Sequence, residues 1–117
     1  MSILGPADRL AAALAYLGQT IDARAEIGDA SSSWTAKLLA KGVGACADKA
    51  EEEAGEFIAA LRSETDDRVA SEAADMLYHA LVALRVRGVS LDDVAAALEK
   101  RQGTSGIVEK ASRNVPD

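Results

Sequence analysis

Between Lys49 and His79 the chain repeats one carboxylate spacing: Glu53 and Glu56 stand three residues apart, and so do Glu72 and Asp75. On a helix that spacing projects both members from one face, about 60° apart. If the two segments are antiparallel neighbours, four acids converge between them. Their mutual repulsion and lost hydration would then be costly without a cation. Hard oxygen ligands of this kind suit magnesium, with manganese as a second candidate. One or two such ions would hold phosphate oxygens, neutralise charge developing during a displacement and activate a water. Taken alone, the run Glu51, Glu52, Glu53 and Glu56 would be a solvated helical face. The second acid pair sets it apart, because it recurs beside core residues where solubility does not require charge.

The elements that must position these acids are helical. Pro6 suits a first helical turn, and Leu10, Leu14, Leu17 and Ile21 recur at helical spacing through about Arg24. Residues 28 to 33 form a polar break, whose serines offer an N-cap to a short segment from Trp34 to Lys41. Gly42 and Gly44 interrupt it. From Ala45 to about Arg62 the pattern is helical again, with Ala54, Phe57, Ile58 and Leu61 as the expected apolar stripe. After a compact turn capped by Asp66 or Asp67, a second helix is expected to bury Val69, Ala73, Met76, Leu77, Ala80 and Leu84 and to stop at Gly88. So short a connection makes the two acid-bearing helices antiparallel neighbours. Ser90 followed by Asp93 opens a last helix to about Arg101, which Gly103 would end. The remainder, rich in Gly, Ser and charge, reads by itself as a tail.

Composition agrees with a single all-α domain spanning residues 1–117, a four- to five-helix bundle. Alanine dominates the apolar content and aromatics are 3%, which favours close-packed helices over a sheet. A formal charge of −6 argues against a nucleic-acid partner. No run approaches the roughly 20 apolar residues of a membrane span, and the N-terminus lacks the pattern of a secretory signal. The expected location is the cytoplasm. One cysteine, Cys46, rules out an internal disulfide framework and reads as a small buried hydrophobe.

Other side chains could assist. Thr35 and Lys37 offer a hydroxyl and an ammonium, useful beside an acidic metal site where phosphates must be balanced; the alternative is an exposed lysine on a short helix. Lys49 has a similar choice between a phosphate and an i,i+4 partnership with Glu53. His79 follows Asp75 by one turn, where a hydrogen-bonded role at a helix or subunit interface outweighs a metal or proton-transfer role. Trp34 and Tyr78 read as packing residues with one polar contact. Neither a nucleophile triad nor a glycine-rich phosphate loop is present.

These residues resemble a known family. Glu52-Glu53-x-x-Glu56 followed by Glu72-x-x-Asp75 is similar to the EExxE…ExxD signature of the all-α nucleoside triphosphate pyrophosphohydrolases, among them the MazG-like enzymes and the phosphoribosyl-ATP pyrophosphohydrolases. The second group is the nearer. Residues 33 to 39, SWTAKLL, resemble its SYTAKLL segment; residues 71 to 79, SEAADMLYH, its SEAADLLYH helix; and residues 101 to 113 its RHGTSGLEEKASR tail. Trp34 stands where Tyr is usual, Gln102 where His is usual, and Glu51 where Gly is common.

The resemblance implies magnesium-dependent hydrolysis of phosphoribosyl-ATP to phosphoribosyl-AMP and pyrophosphate, the second step of histidine biosynthesis. It makes Glu53, Glu56, Glu72 and Asp75 metal ligands, with Glu52 as a further ligand or the group orienting water. Thr35, Lys37, Lys49, Arg101, Ser105, Lys110 and Arg113 would contact substrate, the last four in or beside a tail from about residue 101 that folds over phosphate. It also implies a homodimer, in keeping with broad Ala-rich faces that a monomer would leave bare. Two other readings are a housekeeping enzyme acting on non-standard nucleoside triphosphates, disfavoured by the tail motif, and a helical adaptor whose acids are only surface charge.

Overall fold

A computed structural model describes residues 5–28 and 33–102. Among the described residues the chain is all-helical, with five helices: α1 Pro6–Ile27, α2 Trp34–Ala40, α3 Val43–Ser63, α4 Asp66–Arg87 and α5 Leu91–Lys100. Local chemistry explains most of their limits. Ser33 accepts from the Ala36 N–H at 3.2 Å and starts α2, and Ser90 accepts from the Asp93 N–H at 3.1 Å and starts α5. The expected aspartate cap of α4 is instead Thr65, whose hydroxyl accepts from the Arg68 N–H at 3.4 Å. Asp66 and Asp67 occupy the first turn, where their charge meets the positive end of the helix dipole. Gly42 alone breaks the chain between α2 and α3, at φ 91°; Gly44 lies inside the first turn of α3. α1 continues to Ile27, one turn past Arg24.

Helices α3 and α4, joined by only Glu64 and Thr65, form the antiparallel hairpin on which the molecule is built. Their contact is a seam of alternating four- and three-residue steps. The less exposed residues at that spacing are Cys46, Ala50, Glu53, Phe57 and Ala60 in α3 and Val69, Glu72, Met76 and His79 in α4, with Ala83 and Val86 continuing the line in α4 and packing against the apolar core. Such spacing keeps one narrow stripe facing a partner helix. Beside the hairpin, Ile21 of α1, Leu38 of α2, Cys46 of α3, and Leu81 and Val82 of α4 form the apolar core, with Leu14, Leu17, Leu39, Tyr78 and Leu84 packed around it. Cys46 is fully enclosed and its thiol donates to the Leu38 carbonyl.

Several expected core residues lie outside that seam. Leu10, Ile58 and Leu61 are about half exposed, Leu77 is 37% exposed, and Ala80 is exposed. The physical reason is rotation. The buried line of α3 passes through Glu53, so Ile58 and Leu61 fall on its exposed side. Helix α5 has no fully buried residue. It meets α1 where Leu91 lies over Gly18, and a β-carbon there would stand 3.1 Å from the Leu91 methyl.

Candidate metal and phosphate site

The seam carries charge at its centre. Glu53 and Glu72 are 7% and 5% exposed, in positions that an ordinary helix pair fills with apolar side chains. Carboxylate oxygens of Glu53, Glu72 and Asp75 lie within 4.8 Å of one another, and so do those of Glu52, Glu53 and Glu56. Glu53 is common to both groups. Glu52, Glu56 and Asp75 are exposed, so the cluster has a buried floor and an open side. The predicted convergence of acids across the hairpin is therefore present.

The electrostatics are those of crowded anions. The charge of Glu53 first, then lost hydration, a hydrogen bond with Glu53 and the charges of Glu72 and Glu52, push the Glu56 carboxyl above its ordinary range. One oxygen of each buried acid, Glu53 Oε2 and Glu72 Oε2, has no hydrogen-bond partner among the described residues. A buried carboxylate oxygen left in that state is costly. Two such oxygens on members of a cluster of hard donors fit a divalent cation of the magnesium or manganese kind.

The other oxygens are held. Lys49 Nζ lies 3.3 Å from Glu53 Oε1 and 3.4 Å from Glu52 Oε1, and Glu53 in turn raises the Lys49 pKa. Arg68 Nη2 stands 2.5 Å from Glu72 Oε1, and its Nε 3.4 Å from Glu64 Oε1. Arg68 was not among the candidates read from the sequence, although its place four residues before Glu72 is the spacing of a helical ion pair. His79 is 7% exposed, with Nε2 3.8 Å from Glu53 Oε1 and Nδ1 unpartnered among the described residues. Burial holds its pKa below the ordinary value even though the Glu53 charge opposes this. The buried ring thus lies beside Glu53 at the foot of the cluster.

Helix α2 is fixed beside the hairpin by a hydroxyl pair between Thr35 and Tyr78. Tyr78 makes the one polar contact expected of it, whereas Trp34 is 52% exposed. Lys37 is exposed on α2, and Arg101 caps the end of α5. Ser105, Lys110, Arg113 and the expected helix stop at Gly103 lie outside the described residues.

An all-α fold with a carboxylate cluster set in the seam of an antiparallel helix pair defines the MazG-like class. Within that class, a family model described as phosphoribosyl-ATP pyrophosphohydrolase matches residues 14–102, and the chain belongs to that family, a family of hydrolases. The phosphoribosyl-ATP pyrophosphatase of Cereibacter sphaeroides strain KD131 is 55% identical over 101 residues, covering 86% of this chain and 96% of the relative. Proteins of the same name from Jannaschia sp. strain CCS1 and Rhodobacter capsulatus are 53% and 52% identical, each over 86% of this chain and 97% of its own length.

Proposed function

We propose that this protein hydrolyses phosphoribosyl-ATP to phosphoribosyl-AMP and pyrophosphate, the second step of histidine biosynthesis, as a magnesium-dependent cytoplasmic homodimer with one catalytic domain per chain. The observation that carries the reading is the pair of unpartnered buried oxygens on Glu53 and Glu72 within a converging acid cluster. Family membership narrows the substrate from phosphoanhydrides in general to the one in the relatives' name.

Glu53, Glu56, Glu72 and Asp75 would hold one or two magnesium ions, with manganese as a substitute. When bound, magnesium neutralises charge on phosphate oxygens and makes water more acidic. The residues do the rest. Glu52, exposed at the rim, would be a further ligand or would orient the attacking water. Water adds to phosphorus, the anhydride bond between the α and β phosphates breaks, the water proton passes to a carboxylate or solvent, and pyrophosphate departs. Lys37, Lys49 and Arg101 are cations for the phosphate chain, joined in this proposal by Ser105, Lys110 and Arg113 of the tail. The Thr35 hydroxyl, already paired with Tyr78, keeps further hydrogen-bonding capacity for substrate.

A substrate panel tests this reading. Phosphoribosyl-ATP should be turned over with kcat/KM at least roughly 100-fold above ordinary and modified nucleoside triphosphates, a ratio that hydrogen-bonded recognition readily reaches. Preference for another triphosphate would overturn the substrate and keep the chemistry. No metal-dependent turnover of any of them would overturn both.

A further inference from the structure

Two cations already stand at the acid cluster. Each sits one helical turn before a buried acid on the same helix: Lys49 before Glu53 on α3, Arg68 before Glu72 on α4. Each takes one carboxylate oxygen and leaves the other unpartnered. Because α3 and α4 run antiparallel, the two cations flank the cluster at opposite ends. Their side chains are also more exposed than the acids they hold, 26% and 56% against 10% and 6% for Glu53 and Glu72. An ammonium and a guanidinium so placed supply the positive charge that buried carboxylates require. A divalent ion on the same acids makes that charge redundant.

We propose that Lys49 and Arg68 are resident counter-ions of the cluster: they hold Glu53 and Glu72 until a divalent cation takes over their charge, and then turn to the phosphates of the arriving substrate. The inference rests on the metal and phosphate reading given above. Arg68 is the new participant, a positioning residue for Glu72 without cation and a phosphate ligand with it. Its fork of N–H donors suits either carboxylate or phosphate oxygens.

The test uses the full-length protein and its Arg68→Gln, Arg68→Lys and Arg24→Gln variants, with magnesium titrated calorimetrically in the absence of substrate. Arg68→Gln should bind magnesium roughly 1.5- to fivefold more tightly, the range expected for removing one partly exposed competing cation. Its melting temperature should lie below wild type without magnesium and approach wild type in saturating magnesium. The KM for phosphoribosyl-ATP should rise at least about threefold, and Arg68→Lys should fall between. Arg24→Gln, which removes the same charge from α1, should leave magnesium affinity unchanged. Unchanged or weaker magnesium binding in Arg68→Gln, equal tightening in Arg24→Gln, or an unchanged KM overturns the proposal. A wild-type protein that binds no magnesium overturns the metal reading beneath it.

Discussion

Single side chains decide the chemistry here, because the seam tolerates Glu53 and Glu72 only if something positive compensates them. Glu53→Gln and Asp75→Asn should each lower pyrophosphate release from phosphoribosyl-ATP by roughly 100-fold or more, as loss of a direct ligand exceeds the 10- to 100-fold cost of disturbing groups behind one. Steady-state release measured in saturating magnesium checks this. Cys46 makes a separate prediction. Burial pushes its thiol up, so the folded state favours the protonated form. That has no effect well below the ordinary thiol range near pH 8.5, and it destabilises the fold progressively as pH rises through and above it. Urea melts should therefore show wild type losing stability relative to Cys46→Ala between about pH 8 and pH 10, and a flat difference would contradict the assignment. The acids of the site were legible in the sequence because i,i+3 spacing on two adjoining helices has a direct geometric meaning. Arg68 was not, since an i,i+4 pair is commonplace on helix surfaces and only the burial of Glu72 gives this one weight. Nor could His79 be placed against Glu53 before the relative rotation of the two helices was known.

At the scale of the helix, capping and phase account for what was readable and what was not. Ser33 and Ser90 mark their helices as expected because each is a strong cap directly before a helical pattern. Four residues with capping side chains, Ser63, Thr65, Asp66 and Asp67, fall within five positions around the start of α4, and local pattern does not rank them. Thr65→Ala should cost about 1 kcal/mol and lower the melting temperature by roughly 4 °C or somewhat more for a domain of this size, whereas Asp66→Ala should cost less. Thermal denaturation of both variants checks the order. Ile21, Leu14, Leu17 and Leu84 pack as expected, but parts of the apolar stripes went astray for a different reason. In an Ala-rich helix the hydrophobic signal is broad, and the larger residues Ile58 and Leu61 draw it away from the true seam through Cys46, Glu53 and Ala60. An acid inside a seam is invisible to any reading that equates buried with apolar.

For the molecule as a whole, the exposed apolar side chains bear on assembly. Leu61 is 57% and Leu98 60% exposed, alongside Tyr16, Ile27 and Ile58, apolar area that the proposed homodimer would cover in part. Sedimentation equilibrium should give twice the 12.1 kDa chain mass at micromolar concentration, and a monomer throughout would contradict the proposed homodimer. Among the described residues no helix is long and apolar enough to cross a membrane. The proposed chemistry depends on one arrangement, a hairpin whose seam is interrupted by the buried acids Glu53 and Glu72. The most direct measurement is magnesium binding, by calorimetry or by displacement of paramagnetic manganese, to the wild-type protein and to Glu72→Gln without substrate. Saturable binding in wild type, weakened at least roughly tenfold in the variant, is the predicted result; no binding in wild type, or equal binding in both, would contradict the account.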